Sequence, residues 1–198
     1  MEKGLLDLLL LMKKIVIISS SIRIGRNSSR VASFLKKFID ESNLANAEIA
    51  DLDEYKFPLF DERLRFQKNP DNKVVEFANR IKSADAVVIV TPEYNGGYPA
   101  SLKNVIDLLG EEWKKKPIGI STVSTGAFGG SQVITSLQFS LWKIGAWVIP
   151  VYFPVPNVDK AFDENGDPTD KEAINKRATT FLNELLWYAE AKHRMSKQ

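Results

Sequence analysis

Ala86-Val87-Val88-Ile89-Val90, running into Thr91-Pro92-Glu93-Tyr94-Asn95-Gly96-Gly97, is the stretch that decides the fold of this chain. Five apolar residues in a row, four of them β-branched, read as a strand buried on both faces, as in a parallel sheet. Pro92 stiffens the strand exit, and Gly96-Gly97 let the backbone come close to a flat ligand. Upstream, Ile15-Val16-Ile17-Ile18 is a second run of this kind, stopping at three serines. Between the two lie a helical pattern over residues 27–40 (Val31, Ala32, Phe34, Leu35, Phe38, Ile39) and a short strand at 47–52. Residues 55–60 are broken by Pro58 and read as a packed loop. A helix follows over 72–83, with Val74, Val75, Phe77, Ala78 and Ile81 on one face.

Downstream the alternation continues. A helix at 100–109 is entered through Pro99 and stopped by Gly110, a strand covers 117–122, a helix 130–144, and a strand 146–150. A long connection leads to a final helix at 170–193. Five strands separated by helices predict an α/β doubly wound, five-stranded parallel sheet of order 2-1-3-4-5, with helices on both faces. Ligands of such a sheet sit beyond the carboxyl ends of its strands, so the loops after Ile18, Val90 and Thr122 should converge on one site.

Residues 13–198 read as a single domain and residues 1–12 as an N-terminal extension. The extension is apolar but too short to span a bilayer, and has no A-x-A-like cleavage site. Met12-Lys13-Lys14-Ile15 can itself open a domain of this kind. We read the extension as non-catalytic, helical if it meets a partner surface, with an apolar dimer contact as the alternative.

Composition narrows the chemistry. Of 198 residues 44% are hydrophobic and the net charge is +2, so neither nucleic acid nor an anionic membrane is the expected partner. There is no cysteine, hence no thiol nucleophile, thiolate ligand or disulfide, which fits a cytoplasmic location. The one histidine, His193, stands in a charged tail, against a Ser-His-Asp hydrolase or a multi-histidine metal site. The serine run also lacks a G-x-S-x-G elbow. No metal ligands are assigned, and an enzyme of this composition should take its chemistry from a cofactor.

The first loop, Ser19-Ser20-Ser21-Ile22-Arg23-Ile24-Gly25-Arg26-Asn27-Ser28-Ser29, offers hydroxyls, an amide and backbone N–H groups at a helix N-terminus. Such donors suit an anion, and Arg23 and Arg26 can add charge-assisted bonds to phosphate oxygens. Neither GxGxxG nor GxxxxGK[ST] is present, so a monophosphate fits better than a dinucleotide or a P-loop nucleotide. Helix capping by these serines is the plainer alternative; it uses one or two of them and leaves the arginines unexplained. In the second loop, Tyr94 can stack on an aromatic ring while Asn95 meets ring heteroatoms.

Ser21-x-Arg23, Pro92-Glu93-Tyr94-Asn95, Leu102-Lys103-Asn104-x-x-Asp107, Ser124-Thr125-Gly126-x-x-Gly129-Gly130 and residues 161–166 together resemble the NAD(P)H-dependent FMN reductase family, with its azoreductase, quinone reductase and chromate reductase members. The likeness runs from about residue 13 to 186. It implies a flavodoxin-like fold, FMN as cofactor and NADPH or NADH as electron donor. By the same resemblance, Ser21, Arg23, Asn27 and Ser28 hold the FMN phosphate. Pro92, Glu93, Tyr94 and Asn95 line the isoalloxazine, and Ser124 and Gly126 close its other side. Two departures stand out: Ser20 replaces a usual glycine, and Gln132 an arginine found in several members.

The implied activity is ping-pong electron transfer to a small acceptor (quinone, azo compound, free flavin or metal oxyanion) by a homodimer or homotetramer, with no side chain assigned as catalytic. The alternatives are a flavodoxin-type electron carrier and a non-catalytic flavin-binding regulatory module. Such carriers are typically strongly acidic, unlike this chain. Tyr98, Trp113, Phe128 and Trp142 are candidates for an acceptor pocket or dimer surface, with core packing the plainer reading. Lys103 and Asp107 read as a surface or interface ion pair. The acidic stretch at 162–168 is out of EF-hand register and reads as a solvated turn.

Overall fold

The structure, a computed structural model, describes residues 12–196. The apolar stretch at 1–11, read above as an extension or dimer contact, lies outside the described residues. Five parallel strands form one sheet in the order β2-β1-β3-β4-β5: β1 Lys14–Ser19, β2 Asn46–Asp51, β3 Ala86–Pro92, β4 Pro117–Val123 and β5 Trp147–Val148. The helices are α1 Ser28–Glu41, α2 Leu52–Tyr55, α3 Asn72–Ser83, α4 Ala100–Leu108, α5 Ser131–Lys143, α6 Val158–Ala161 and α7 Lys171–Met195, with 3₁₀ turns at Leu64–Phe66 and Glu111–Trp113. Order and class agree with the sequence reading.

The sheet is covered on both faces because its strands alternate apolar side chains to either side. Ile15, Ile17, Val88 and Val90 meet Phe34 and Leu35 of α1 and Phe181, Leu182 and Leu185 of α7. Val16, Ile18, Val87 and Ile89 meet Phe77 and Ile81 of α3, Leu102 and Val105 of α4, and Leu137 and Leu141 of α5. At Gly119 the cover is tight: a Cβ there would stand 2.5 Å from the Phe181 ring.

Three local readings are corrected. Val75, placed on the buried face of α3, is exposed. Val74, Phe77, Ala78 and Ile81 already complete the i, i+3, i+4, i+7 stripe, and Val75 falls one step outside it. The fifth strand is two residues long, since its partner bonds are interrupted. Ile149 N–H donates to Ile118 O (3.0 Å), but the next rungs come from Phe153 to Ile120 O (3.0 Å) and Val155 to Thr122 O (2.7 Å). Four residues on the edge oppose two on β4 there, a bulge carrying Pro150, which has no N–H to give. The packed loop at 55–60 holds for buried Tyr55 and part-buried Phe57, while Leu59 and Phe60 are exposed.

The stretch at 162–168 is docked as well as solvated. Asp163 Oδ1 accepts from the N–H of Asn165 (2.9 Å) and Asp167 (2.8 Å), which curls the turn. Buried Gly166, at φ +82°, lies so close to α1 that a Cβ would stand 2.5 Å from Arg30 O. Arg30 Nη1 in turn donates to Phe162 O (3.0 Å).

At the opposite end of the sheet Lys116 is only 2% exposed and its Nζ donates to Lys82 O (3.2 Å) and Ala84 O, at the end of α3. Burial, with Lys192 adding like charge, brings its ammonium down to about 8.

Gly166→Ala combines a left-handed backbone with a clash against backbone, and is expected to cost about 1–3 kcal/mol in urea unfolding. For Lys116 the unfolded chain keeps the proton up to the ordinary lysine range of 10.5 while the folded chain releases it near 8. Stability therefore rises with pH across that window. The difference in unfolding free energy between wild type and Lys116→Met should move in favour of the wild type from pH 8 to 10.5; a flat difference contradicts the assignment.

Candidate active site

The strand order sets the loops after β1, β3 and β4 side by side. In the first, Ser20 N–H donates to Val90 O (3.1 Å), and Ser101 Oγ, in the first turn of α4, donates to Ser20 O (2.6 Å). Ser21 Oγ accepts the N–H of Arg23 (3.3 Å) and lies 2.7 Å from Tyr94 Oη. Arg26 fixes the outer limb of the loop. Its Nη1 donates to Ser21 O (2.9 Å), and the guanidinium pairs with Asp51 (2.6 Å) and Asp53 (3.2 Å). Burial pushes the Asp51 carboxyl above its ordinary value, against the pull of the Asp53 N–H (3.0 Å) and the Arg26 charge.

The other two loops are joined by Glu93. Its Oε2 accepts the N–H groups of Gln132 (3.0 Å) and Val133 (3.3 Å), the second and third residues of α5. Gly130, which precedes that helix, has no side chain to cap it, so a carboxylate from another loop does so. Thr122 Oγ1 donates to Gly129 O (2.6 Å) and Ser124 Oγ to Gly126 O (2.9 Å), shaping the loop after β4.

Two clefts result. One, of about 160 Å³, is lined by Arg23, Asn27, Ser28, Pro92, Glu93, Tyr94 and Ser124, with Gly25, Arg26, Val123, Thr125 and Val158. The second, about 360 Å³, shares Glu93 and Ser124 as a wall and adds Gly126, Phe128, Gly130, Ser131 and Gln132. Among the described residues, the Ser28 hydroxyl is buried and without a hydrogen-bond partner, as are those of Ser19 and Ser20. Asn27, at the N-cap of α1, makes no side-chain cap bond. The asparagine side chain is thus not used as a cap on α1, and the start of that helix, at Asn27 and Ser28, lines the smaller cleft.

A sequence profile described as NADPH-dependent FMN reductase matches residues 13–160. The chain belongs to the NADPH-dependent FMN reductase family. It is therefore an oxidoreductase of the NAD(P)H-dependent flavin class. Among relatives, it is 35% identical over 138 residues to an NAD(P)H-dependent FMN reductase of Saccharomyces cerevisiae, covering 63% of this chain and 71% of the yeast protein. With a quinone reductase of Escherichia coli it shares 37% over 170 residues, 82% of this chain and 88% of the relative. In fold it is similar to a flavoenzyme NAD(P)H:(acceptor) oxidoreductase from Paracoccus denitrificans (TM-score 0.74, 22% identity, 90% and 98% of the two chains).

Of the residues the sequence proposed for this FMN reductase family member, seven line the smaller cleft and Gly126 the larger. Ser21 is one step behind, bonded to Tyr94. Asn95 is not brought in: at φ +54° it sits in an exposed turn whose ends pair Tyr94 with Gly97. Arg26, read as a phosphate donor, is committed to two carboxylates instead. Trp113 is fully buried core, Tyr98 bonds Ser140 (2.7 Å), Phe128 is exposed at the larger cleft and Trp142 is far from both. Lys103 and Asp107 pair with each other along α4. Asp51 and Ser101 were missed, although Asp51 ends the strand neighbouring β1 and so had to stand beside the first loop.

Glu93→Ala is expected to lower stability by about 0.5–2 kcal/mol, the range of a lost cap, in urea unfolding. Glu93→Gln keeps an acceptor oxygen and should recover part of it, losing about 0.3–1 kcal/mol of charge–dipole attraction. Equal stability of Glu93→Ala and wild type would remove the cap from this account.

Proposed function

We propose that the chain holds FMN in these clefts and passes electrons from NADPH or NADH to a small acceptor, in ping-pong fashion. The observation that carries the reading is the buried, unpartnered Ser28 hydroxyl at the start of α1, beside exposed Arg23. A buried hydroxyl without a partner costs about 1–3 kcal/mol, which a bound anion offsets. The donor set fits a phosphate monoester: Ser28, Asn27, N-terminal amides of α1, and a guanidinium free to form bidentate bonds.

In this reading Arg23, Asn27 and Ser28 hold the phosphate, and Ser21 sets the position of Tyr94. Pro92, Glu93 and Tyr94 flank the isoalloxazine on one side, and Ser124 and Gly126 on the other. Bound FMN would supply the redox chemistry, hydride acceptance from the nicotinamide and electron donation to a quinone, azo compound, free flavin or metal oxyanion. The chain orients and encloses; none of its side chains is assigned as nucleophile or general base. Glu93 contributes by fixing the wall shared by the two clefts, since its carboxylate is held on α5.

We also place the working protein in the cytosol as a homodimer or homotetramer. Ile24, Leu59, Phe66 and Phe128 are exposed on connections leaving the carboxyl ends of the strands, which supports a subunit boundary near the site. No helix of the described residues is long and apolar enough to cross a membrane.

The test is the visible spectrum of the FMN-loaded protein before and after anaerobic NADPH. Rapid bleaching that reverses on adding a quinone is expected; a bound flavin indifferent to NADPH and NADH would make the protein a carrier or sensor. Arg23→Ala is expected to weaken FMN binding by about 1.5–3 kcal/mol, the scale of a hydrogen bond to a charged group. Fluorescence titration of FMN checks this, and unchanged affinity would overturn the phosphate assignment.

A further inference from the structure

A large cavity lies remote from the site. It is a groove of about 740 Å³ between α5, β5 and the C-terminal half of α7, lined chiefly by Phe139, Trp142, Trp147, Trp187, Tyr188 and Ala191. Phe139, Trp142 and Trp187 are each more than 60% exposed. Aromatic surface gathered into one concave patch is uncommon on a surface meant for water and marks something that covers it.

We infer that the groove is covered by the chain's own N-terminal segment, residues 1–11. Its sequence supplies the matching chemistry: Leu5, Leu6, Leu8, Leu9, Leu10 and Leu11, with Asp7 the one charge among them. Its point of attachment is also right. Lys13, just before β1, is held to Glu190 of α7 by an ion pair of 3.0 Å, and Ala191, the next residue along α7, lines the groove. The chain therefore enters the described structure at one end of the patch. β5 lies three strand positions from β1 in the sheet, about 14 Å at the usual spacing. Eleven residues reach about 16 Å even as a helix and more when extended, enough to span that separation. Burial of leucines against the exposed rings supplies the driving force.

The absence of native cysteine makes the test clean. In the full chain, loaded with FMN, Leu8→Cys paired with Gln138→Cys on α5 is oxidised and run on a non-reducing gel, with Leu8→Cys and Lys36→Cys on α1 as control. A faster-migrating, internally linked monomer from the groove pair alone is the expected result. A linked dimer would mean that the segment lies on a second copy, and overturns the assignment.

An independent readout comes from the tryptophans, since three of the four line the groove and Trp113 is buried. Replacing Leu9→Asp and Leu10→Asp together should shift their emission to the red and raise acrylamide quenching while FMN affinity stays unchanged. Unaltered emission and quenching with no internal link would refute the proposal. So would a dimer that Trp142→Glu dissociates in sedimentation while the leucine changes do not, which would make a second copy the occupant.

Discussion

Residues 15–18 of β1 and 86–90 of β3 have no solvent-accessible surface at all, and helices lie on both sides of them. That double burial leaves polar side chains nowhere to stand in the middle of the sheet, and so drives them to the strand ends. The serines of the first loop, Thr91 with Pro92 and Glu93, and Ser121 and Thr122 with Ser124 all lie at or just past the carboxyl ends of their strands. The 2-1-3-4-5 order then brings three such ends together. Where the chain can bind a ligand is thus a by-product of where it cannot tolerate water.

Bonds between loops, more than bonds within them, give the site its shape. Ser101 reaches Ser20, Ser21 meets Tyr94, and Glu93 spans to the start of α5. Each links segments far apart in sequence, so the geometry of the clefts depends on the fold being complete. The groups left over after these bonds are made, the Ser28 hydroxyl above all, are the ones available to a ligand.

The strands and most helices could be read from apolar periodicity because burial acts on each segment separately: α3 begins and ends where its pattern does. Errors arose where a neighbour decides. Pro150 and the bulge beside it shorten β5, and the docking of Gly166 on α1 turns a surface loop into packed structure. The cleft residues were legible for the same reason as the strands, since loop position follows strand position. The division of labour among them was not. Arg23 and Arg26 stand three residues apart in one loop, and among the described residues the presence of Asp51 and Asp53 beside Arg26 separates the structural arginine from the other. Asn95 carries a motif's identity and follows cleft-lining Tyr94 in an exposed turn, a placement that its residue type alone did not indicate.

The family profile ends at residue 160, yet α7 supplies Phe181, Leu182 and Leu185 to one whole face of the sheet, the ring of Phe181 lying against Gly119. During synthesis, then, all five strands leave the ribosome before the helix that seals that face exists. A nascent chain paused after β5 would present an apolar sheet surface to its surroundings, and final packing awaits the last twenty-odd residues of a helix that begins at Lys171. The domain is complete only after all five strands have been made, and the interval before that is when the chain is most exposed to aggregation.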